Sequence, residues 1–466
     1  MPSLALSAAL TFALTLGVAH ALHGQDRARR LWLLVVSITF YAALEPRYLW
    51  LIFASTLLDY VVGAQLARSG SVWARRGWLA LSLGLNLGAL GWFKLGDMAA
   101  GLVEAAAAAL GAPMQLGRID GALPVGISFY TFQTLSYTLD RYRGRVPPAR
   151  SFLDFALYVS FFPQLVAGPI VRARDFLPQL LAAPRPSAQD LGAGLARMAV
   201  GIVKKIAVAD MLTETVALPM TRGGAGPAGT LIGALGLYFA IYNDFSAYTD
   251  LAVGAGRALG LRLPENFARP ALSPSPMEHW RRWHMTLNQL LADALYKPLA
   301  GGLGAPAWRA PLAGGLTFVA AGVWHGAGWS FLVMGLWNAV LYVGWRTLRP
   351  RAARHPLLRA VEVGLTLCLT ALSLLFLRPG PLSTPLDLLA GLGRVDAGAA
   401  GLPEAQGWAW LGLAVALHLS PPAWKGRLIE GLGAAPAPAL ALALLGAVAL
   451  ALRFAPQASR FVYLQF

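Results

Sequence analysis

Stretches of about twenty apolar residues recur along this chain, parted by short loops rich in arginine. That alternation excludes an ordinary soluble fold. Crossing a bilayer core of about 30 Å takes about 20 apolar residues in a helix, and lipid offers no partner for unpaired backbone groups. A mean hydropathy of +0.56 with 13% charged residues points the same way. The expectation is an all-α polytopic membrane protein, a single integral domain over residues 1–466, with roughly ten to twelve membrane-embedded helices.

The net charge of +16 does not form a basic stripe interleaved with aromatics on a soluble face, so nucleic acid is not expected as a partner. It gathers in short loops, as the positive-inside rule requires. Arg27 to Arg30, Arg68 to Arg76, Arg141 to Arg150 and Arg346 to Arg359 are therefore assigned to the cytoplasm. Met1 to Ala21 has no basic residue ahead of its apolar run and reads as a first span, not a cleaved leader. Further spans are expected near Leu31–Ala43, Tyr48–Leu66, Gly77–Phe93, Val361–Leu377, Trp408–His418 and Leu440–Leu452. Between Asp97 and Asp120 an outer connection holds an Ala-rich helical piece, Val103 to Leu110. Gly380 to Gly407 reads as an outer loop with no core of its own, and Lys425 and Arg427 sit in the last loop.

Two apolar segments carry backbone breakers: Leu123 to Gln133, and Phe161 to Ile170 with its two prolines. Interrupted helix at membrane depth is tolerated only where protein buries it or water reaches it. Lys204 and Lys205, within an apolar stretch, are expected to snorkel to the interface.

Polar chemistry concentrates between Asn243 and Ser330, which holds His279, His284 and His325. Ionisable groups near membrane depth are costly and mark a functional-site hypothesis. His325 lies in an apolar run, Gly315 to Leu336, with no carboxylate. Burial penalises the charged imidazole, and the neutral ring is a competent general base; a packing histidine is the other reading. Gly326 and Gly328 beside it let another backbone or a thin substrate approach, or simply pack helices. His279, among basic and aromatic residues at a helix end, reads as an interfacial anchor.

Asp244, Asp250, Glu265 and Glu278 do not fall at metal-ligand spacing with these histidines, so no metal is expected. Nor is there a Gly-x-Ser-x-Gly elbow, a Walker A loop or a Rossmann fingerprint. The single cysteine, Cys368, in an apolar run, reads as packing.

Several motifs in fixed order are similar to those of the membrane-bound O-acyltransferases, in particular the bacterial branch that acetylates alginate. They are Phe40-Tyr41 with Glu45 to Leu49, Pro124 to Gln133, Phe161 to Arg172, Asp244 to Asp250, Pro264-Glu265-Asn266-Phe267, Trp280 to His284, Trp324 to Ala327, and the ending Phe461 to Phe466. The resemblance implies helices around a transmembrane tunnel, with His325 as the central catalytic histidine and His284 as the second. Substrate contacts are expected at Asn243, Asp244, Ser246, Trp324, Trp280, Arg281 and Gln133. His279 stands where relatives carry an aromatic residue and takes no family role.

The implied reaction is O-acyl transfer, most simply of acetyl, to a hydroxyl of a cell-surface polysaccharide. The co-substrate would be a cytoplasmic thioester, acetyl-CoA or an acyl carrier protein, with no bound cofactor. His325 would act as base, and His284 or nearby donors would steady the oxyanion, or the two would exchange roles. The implied setting is the bacterial inner membrane, among lipid and with a periplasmic SGNH-type acetyltransferase subunit as partner. Peptidoglycan or teichoic acid would be other acceptors. A polysaccharide transporter or flippase is the reading from another class, though no pair of related broken helices supports it.

Overall fold

The computed structural model describes residues 2–119, 123–221, 226–302, 304–348, 355–378, 380–393 and 402–454. Among them every regular element is a helix. Four helices are long and apolar enough to cross a membrane: Pro46–Arg68, Val72–Ala109, Trp329–Leu348 and Pro356–Leu377. Ala9–Ala21 and Ala437–Leu450 are shorter apolar helices. This is a multi-pass membrane protein. The calls on Asp120, Arg349, Arg351, Arg354 and the ending Phe461 to Phe466 fall outside the described residues.

The chain forms two compact units. The first comprises Met1–Met198, Asp250–Pro264 and Arg427–Leu444. Here Val72–Ala109 runs unbroken for 38 residues, so the separate Ala-rich piece and the break at Asp97 are corrected. No proline falls within the helix to stop it. Beyond its end the chain folds back: Asp97 Oδ1 accepts the Ile119 amide at 2.8 Å, and Glu104 Oε1 accepts that of Leu116 at 2.7 Å. The expected interruption at Leu123–Gln133 is confined to its start. Gly126 takes a left-handed φ of 75° and the helix Ile127–Tyr142 follows without a break. The other break is real: Phe152–Ser160 ends, a short helix Phe162–Leu165 follows, and Val166 to Arg172 is not helical.

Asp59, fully buried, ties three helices of this unit. Its carboxylate accepts from the Ser82 hydroxyl, from Thr138 Oγ1 at 2.8 Å and from Asn86 Nδ2 at 2.9 Å; Ser55 Oγ in turn donates to Asn86 Oδ1 at 2.6 Å.

The second unit comprises Ala199–Thr249, Glu265–Gly426 and Leu445–Phe466. Its core gathers Leu212, Tyr238, Trp283, Phe331, Ala371 and Phe376. Lys205 does not snorkel. It is 8% exposed and lies 2.7 Å from both Asp210 and Asp244, so carboxylates rather than water balance its charge. The backbone around it, Lys204–Asp210, widens into π-helix, a form frequent at functional sites. Gly380 to Gly407 is likewise corrected: helix Ser383–Gly391 sends Leu388 into the core at 3% exposure, and Thr230 Oγ1 donates to the Leu388 carbonyl. Residues 394–401 of that stretch are outside the described set. Lys425 and Arg427 lie in a helix, Pro422–Gly433, not a loop.

Helices Arg309–His325 and Trp329–Leu348 form the tightest hairpin of this unit. A Cβ on Gly335 would come within 2.9 Å of the Phe318 carbonyl oxygen, so only glycine lets the two backbones meet there. That contact sets what lies at the hairpin's turn.

Candidate active site

His325 is the last residue of its helix, where backbone carbonyls lose their helical partners. Its Nδ1 lies 2.6 Å from the Ala321 carbonyl oxygen. A carbonyl only accepts, so Nδ1 carries the proton and the ring's basic lone pair is at Nε2. The chain then turns through Gly326, where the Phe331 ring fills the space a side chain would need. Trp324 packs edge-on to His325 with ring centroids 4.9 Å apart, and its ring lies 5.9 Å from that of His284.

His284 joins two short helices, Pro276–Arg282 and Met285–Leu291. It is 1% exposed and sits in the left-handed region at φ 43°, ψ 53°, a conformation uncommon for residues other than glycine and held here by its neighbours. Asn266 does so: its carbonyl accepts the Met285 amide at 2.9 Å and its Oδ1 accepts Thr286 Oγ1 at 2.7 Å. Asn288 adds a second clamp, donating Nδ2 to the Trp283 and Trp280 carbonyls at 2.6 and 2.7 Å. Burial first, and the nearby His325 second, hold the His284 imidazole well below its ordinary range, so it is neutral.

Both histidines line one small cavity of ≈ 20 Å³, with Trp280, Asn288 and Asn338 also in its wall. That is room for about one water molecule. A larger recess of ≈ 390 Å³ shares Trp280, Asn288 and Phe318 with it and adds Arg281, Tyr296, Lys297 and Arg346. A third, of ≈ 950 Å³, shares Tyr296, Lys297 and Arg346 with the second. The three cavities thus share wall residues in turn, the outer two basic and the innermost lined by the two imidazoles. One ring with its lone pair set by a backbone carbonyl, beside a second that is neutral, can take a proton from a hydroxyl and donate a hydrogen bond to a developing oxyanion.

Of the expected substrate residues, Trp280, Arg281 and Trp324 are at this site. Asn243 donates instead to the Phe239 carbonyl at 2.8 Å, Ser246 Oγ reaches the Asn243 carbonyl at 3.5 Å, and Asp244 pairs with Lys205. None of those three lines the cavity of the histidines. Phe245, between them, meets the His284 ring at 4.6 Å. Gln133 belongs to the first unit, where its Nε2 donates to the Tyr158 carbonyl. His279 is not an interfacial anchor: at 2% exposure it stacks on Trp283, with Nδ1 3.2 Å from the Pro270 carbonyl oxygen. Burial pushes it down to about 3. Sequence reading passed over Asn288 and Asn338; the signal for Asn338 was a lone amide in an apolar helix.

Residues 149–360, which contain both histidines, match the family model described as MBOAT, membrane-bound O-acyltransferase family. This stretch of the chain carries a membrane-bound O-acyltransferase family match. Among curated relatives it is similar to the probable alginate O-acetylase AlgI of Pseudomonas syringae pv. tomato, 37% identical over 61% of this chain and 54% of the relative. It is 31% identical to the peptidoglycan O-acetyltransferase of Helicobacter pylori, over 58% of this chain and 56% of that one. Against the teichoic acid D-alanyltransferase of Bacillus subtilis it is 26% identical over 37% of this chain and 44% of the relative. The matched stretch spans about half the length of these relatives.

Proposed function

We propose that this protein moves an acetyl group from a thioester to a hydroxyl of a cell-surface polysaccharide. One observation carries the reading: His325, its basic nitrogen set by the Ala321 carbonyl, lines the same cavity as the neutral His284. The acceptor hydroxyl attacks the thioester carbon, forming the new C–O bond. Nε2 of His325 takes the hydroxyl proton, His284 donates to the oxyanion, and on collapse the C–S bond breaks and the proton passes to the departing thiolate. Both roles are compatible with rings that are neutral before the reaction. The assignment of His325 as base rests on the Ala321 carbonyl, which places its basic lone pair at Nε2.

Arg281, Lys297 and Arg346 around the outer recesses suit the phosphates of acetyl-CoA or of a carrier-protein arm, with Trp280 at the step between recess and histidines. A thin thioester arm reaching in from there fits the tunnel and the ten to twelve embedded helices expected of this fold. The relatives' names favour alginate-like polysaccharide, at 37% identity against 31% for the peptidoglycan enzyme, whose acceptor comes next. We place the chain in the bacterial inner membrane, with Arg346 toward the cytoplasm and a periplasmic SGNH-type subunit as its downstream partner. The reading is tested with the purified chain in lipid nanodiscs, acetyl-CoA and deacetylated alginate oligosaccharide. Acetyl ester formation that depends on His325 supports it; no ester on the oligosaccharide from either acetyl-CoA or an acetylated carrier protein refutes it.

A further inference from the structure

Asn338 lies midway along the apolar helix Trp329–Leu348, is 3% exposed, and lines the cavity of the two histidines. Its Nδ2 is 2.9 Å from the Met334 carbonyl oxygen. Since that oxygen only accepts, the amide orientation is decided, and Oδ1 is the atom left over. Oδ1 is buried and has no hydrogen-bond partner, and the same holds for Nε1 of Trp280 in the same wall. A buried acceptor and a buried donor left open are each costly, and an amide kept in an apolar helix marks a place for an occupant. The volume, ≈ 20 Å³, admits one oxygen-sized group. The group must accept from an indole N–H and donate to an amide oxygen, and water does both.

We propose that Asn338 and Trp280 hold one water molecule in the histidine cavity, and that this water is a second nucleophile. The protein is then a slow thioester hydrolase whenever no acceptor hydroxyl displaces the water. Water attacks the thioester carbon, forming C–O; His325 takes one proton; the C–S bond breaks, releasing acetate, and the thiolate leaves as thiol with that proton. The second proton of the water leaves with acetic acid and ionises in solution, so one thioester and one water give one acetate, one proton and one thiol. This rests on the acyl-transfer reading above, because it borrows His325 as base. Asn338 acts as a positioning residue for the water.

The test uses the purified full chain in nanodiscs with acetyl-CoA in H₂¹⁸O, following free thiol and ¹⁸O-acetate without acceptor, then ester formation with deacetylated alginate oligosaccharide. The expected result is ¹⁸O-acetate from wild type, lost in His325→Gln. The ratio of hydrolysis to transfer should fall about tenfold in Asn338→Leu, the size of one lost hydrogen bond to a buried group. Trp280→Phe, which keeps the ring and removes the N–H, should move the ratio the same way and covers the case in which Asn338→Leu does not fold. Transfer without hydrolysis in wild type, or an unchanged ratio in the folded variants, overturns the water seat and leaves the acyltransferase reading standing. Hydrolysis that follows the variants as expected, without ester on any acceptor, supports the seat and refutes the polysaccharide reading. Neither reaction in wild type refutes both.

Discussion

Two buried polar clusters in this protein, one around Asp59 and one around His284 and His325, each hold a buried asparagine but use it to opposite ends. Around Asp59 the hydrogen-bonding groups close on one another: Ser82, Thr138 and Asn86 donate to the carboxylate and Ser55 completes Asn86. Around the histidines they do not. Asn338 Oδ1 and Trp280 Nε1 have no hydrogen-bond partner, both residues line the cavity of the histidines, and His284 is held in a left-handed turn. A closed network spends its polar groups on joining helices; an open one keeps them for a molecule that comes and goes.

If that contrast is right, substitutions in the two places should fail differently. The largest effect on rate outside His325 is expected for His284→Gln, a loss of about 10²-fold in acetyl transfer, the scale of one oxyanion donor, with normal abundance in the membrane. Asn266→Ala removes the side chain that Thr286 clamps and loosens the turn that presents His284. It should cost about tenfold in kcat with little change in KM for acetyl-CoA, the mark of misplacement. Asp59→Ala should do the reverse. It strands three donors at about 1–3 kcal/mol each, so protein yield and thermal midpoint fall while activity per folded molecule is kept. A rate loss at normal abundance for Asp59→Ala would erase the distinction.

The smallest effect concerns pH. His279 is pushed down to about 3 by burial, against an ordinary value of 6.5. As pH drops below about 6.5 the unfolded chain binds a proton that the folded one refuses, so stability present above that pH is lost progressively toward 3. His284, lowered for the same reason, adds to the slope. The thermal midpoint should decline from pH 7 to pH 5, and His279→Phe should flatten the decline without altering transfer at pH 7.

The helical class, the spans near Tyr48–Leu66, Gly77–Phe93 and Val361–Leu377, and the two histidines that line one cavity were readable in the sequence because apolar length and ordered motifs survive without three-dimensional context. Lys205 was misread because Asp244 is brought to it only by folding, and Asp210, five residues on, reaches it through the widened helix Lys204–Asp210. The helix Val72–Ala109 was cut too short because Asp97 was taken for a boundary, although an acid can stay helical when a returning backbone amide meets it. Asn338 escaped notice because its value lies in an atom with no partner, a property of packing and not of composition. His279 was assigned to an interface because its neighbours are basic; the structure turns its ring inward onto Trp283.

Acetyl transfer by His325→Gln, normalised to folded protein in the membrane and set beside His325→Ala, tests the open cluster most directly. Glutamine keeps a hydrogen-bonding group of similar reach for the Ala321 carbonyl but cannot take a proton. The account predicts that both variants insert normally and that both lose transfer by about 10²–10⁴-fold, the range of general base catalysis. A His325→Gln protein that transfers acetyl near the wild-type rate while His325→Ala fails would contradict it, and would make His325 a packing residue.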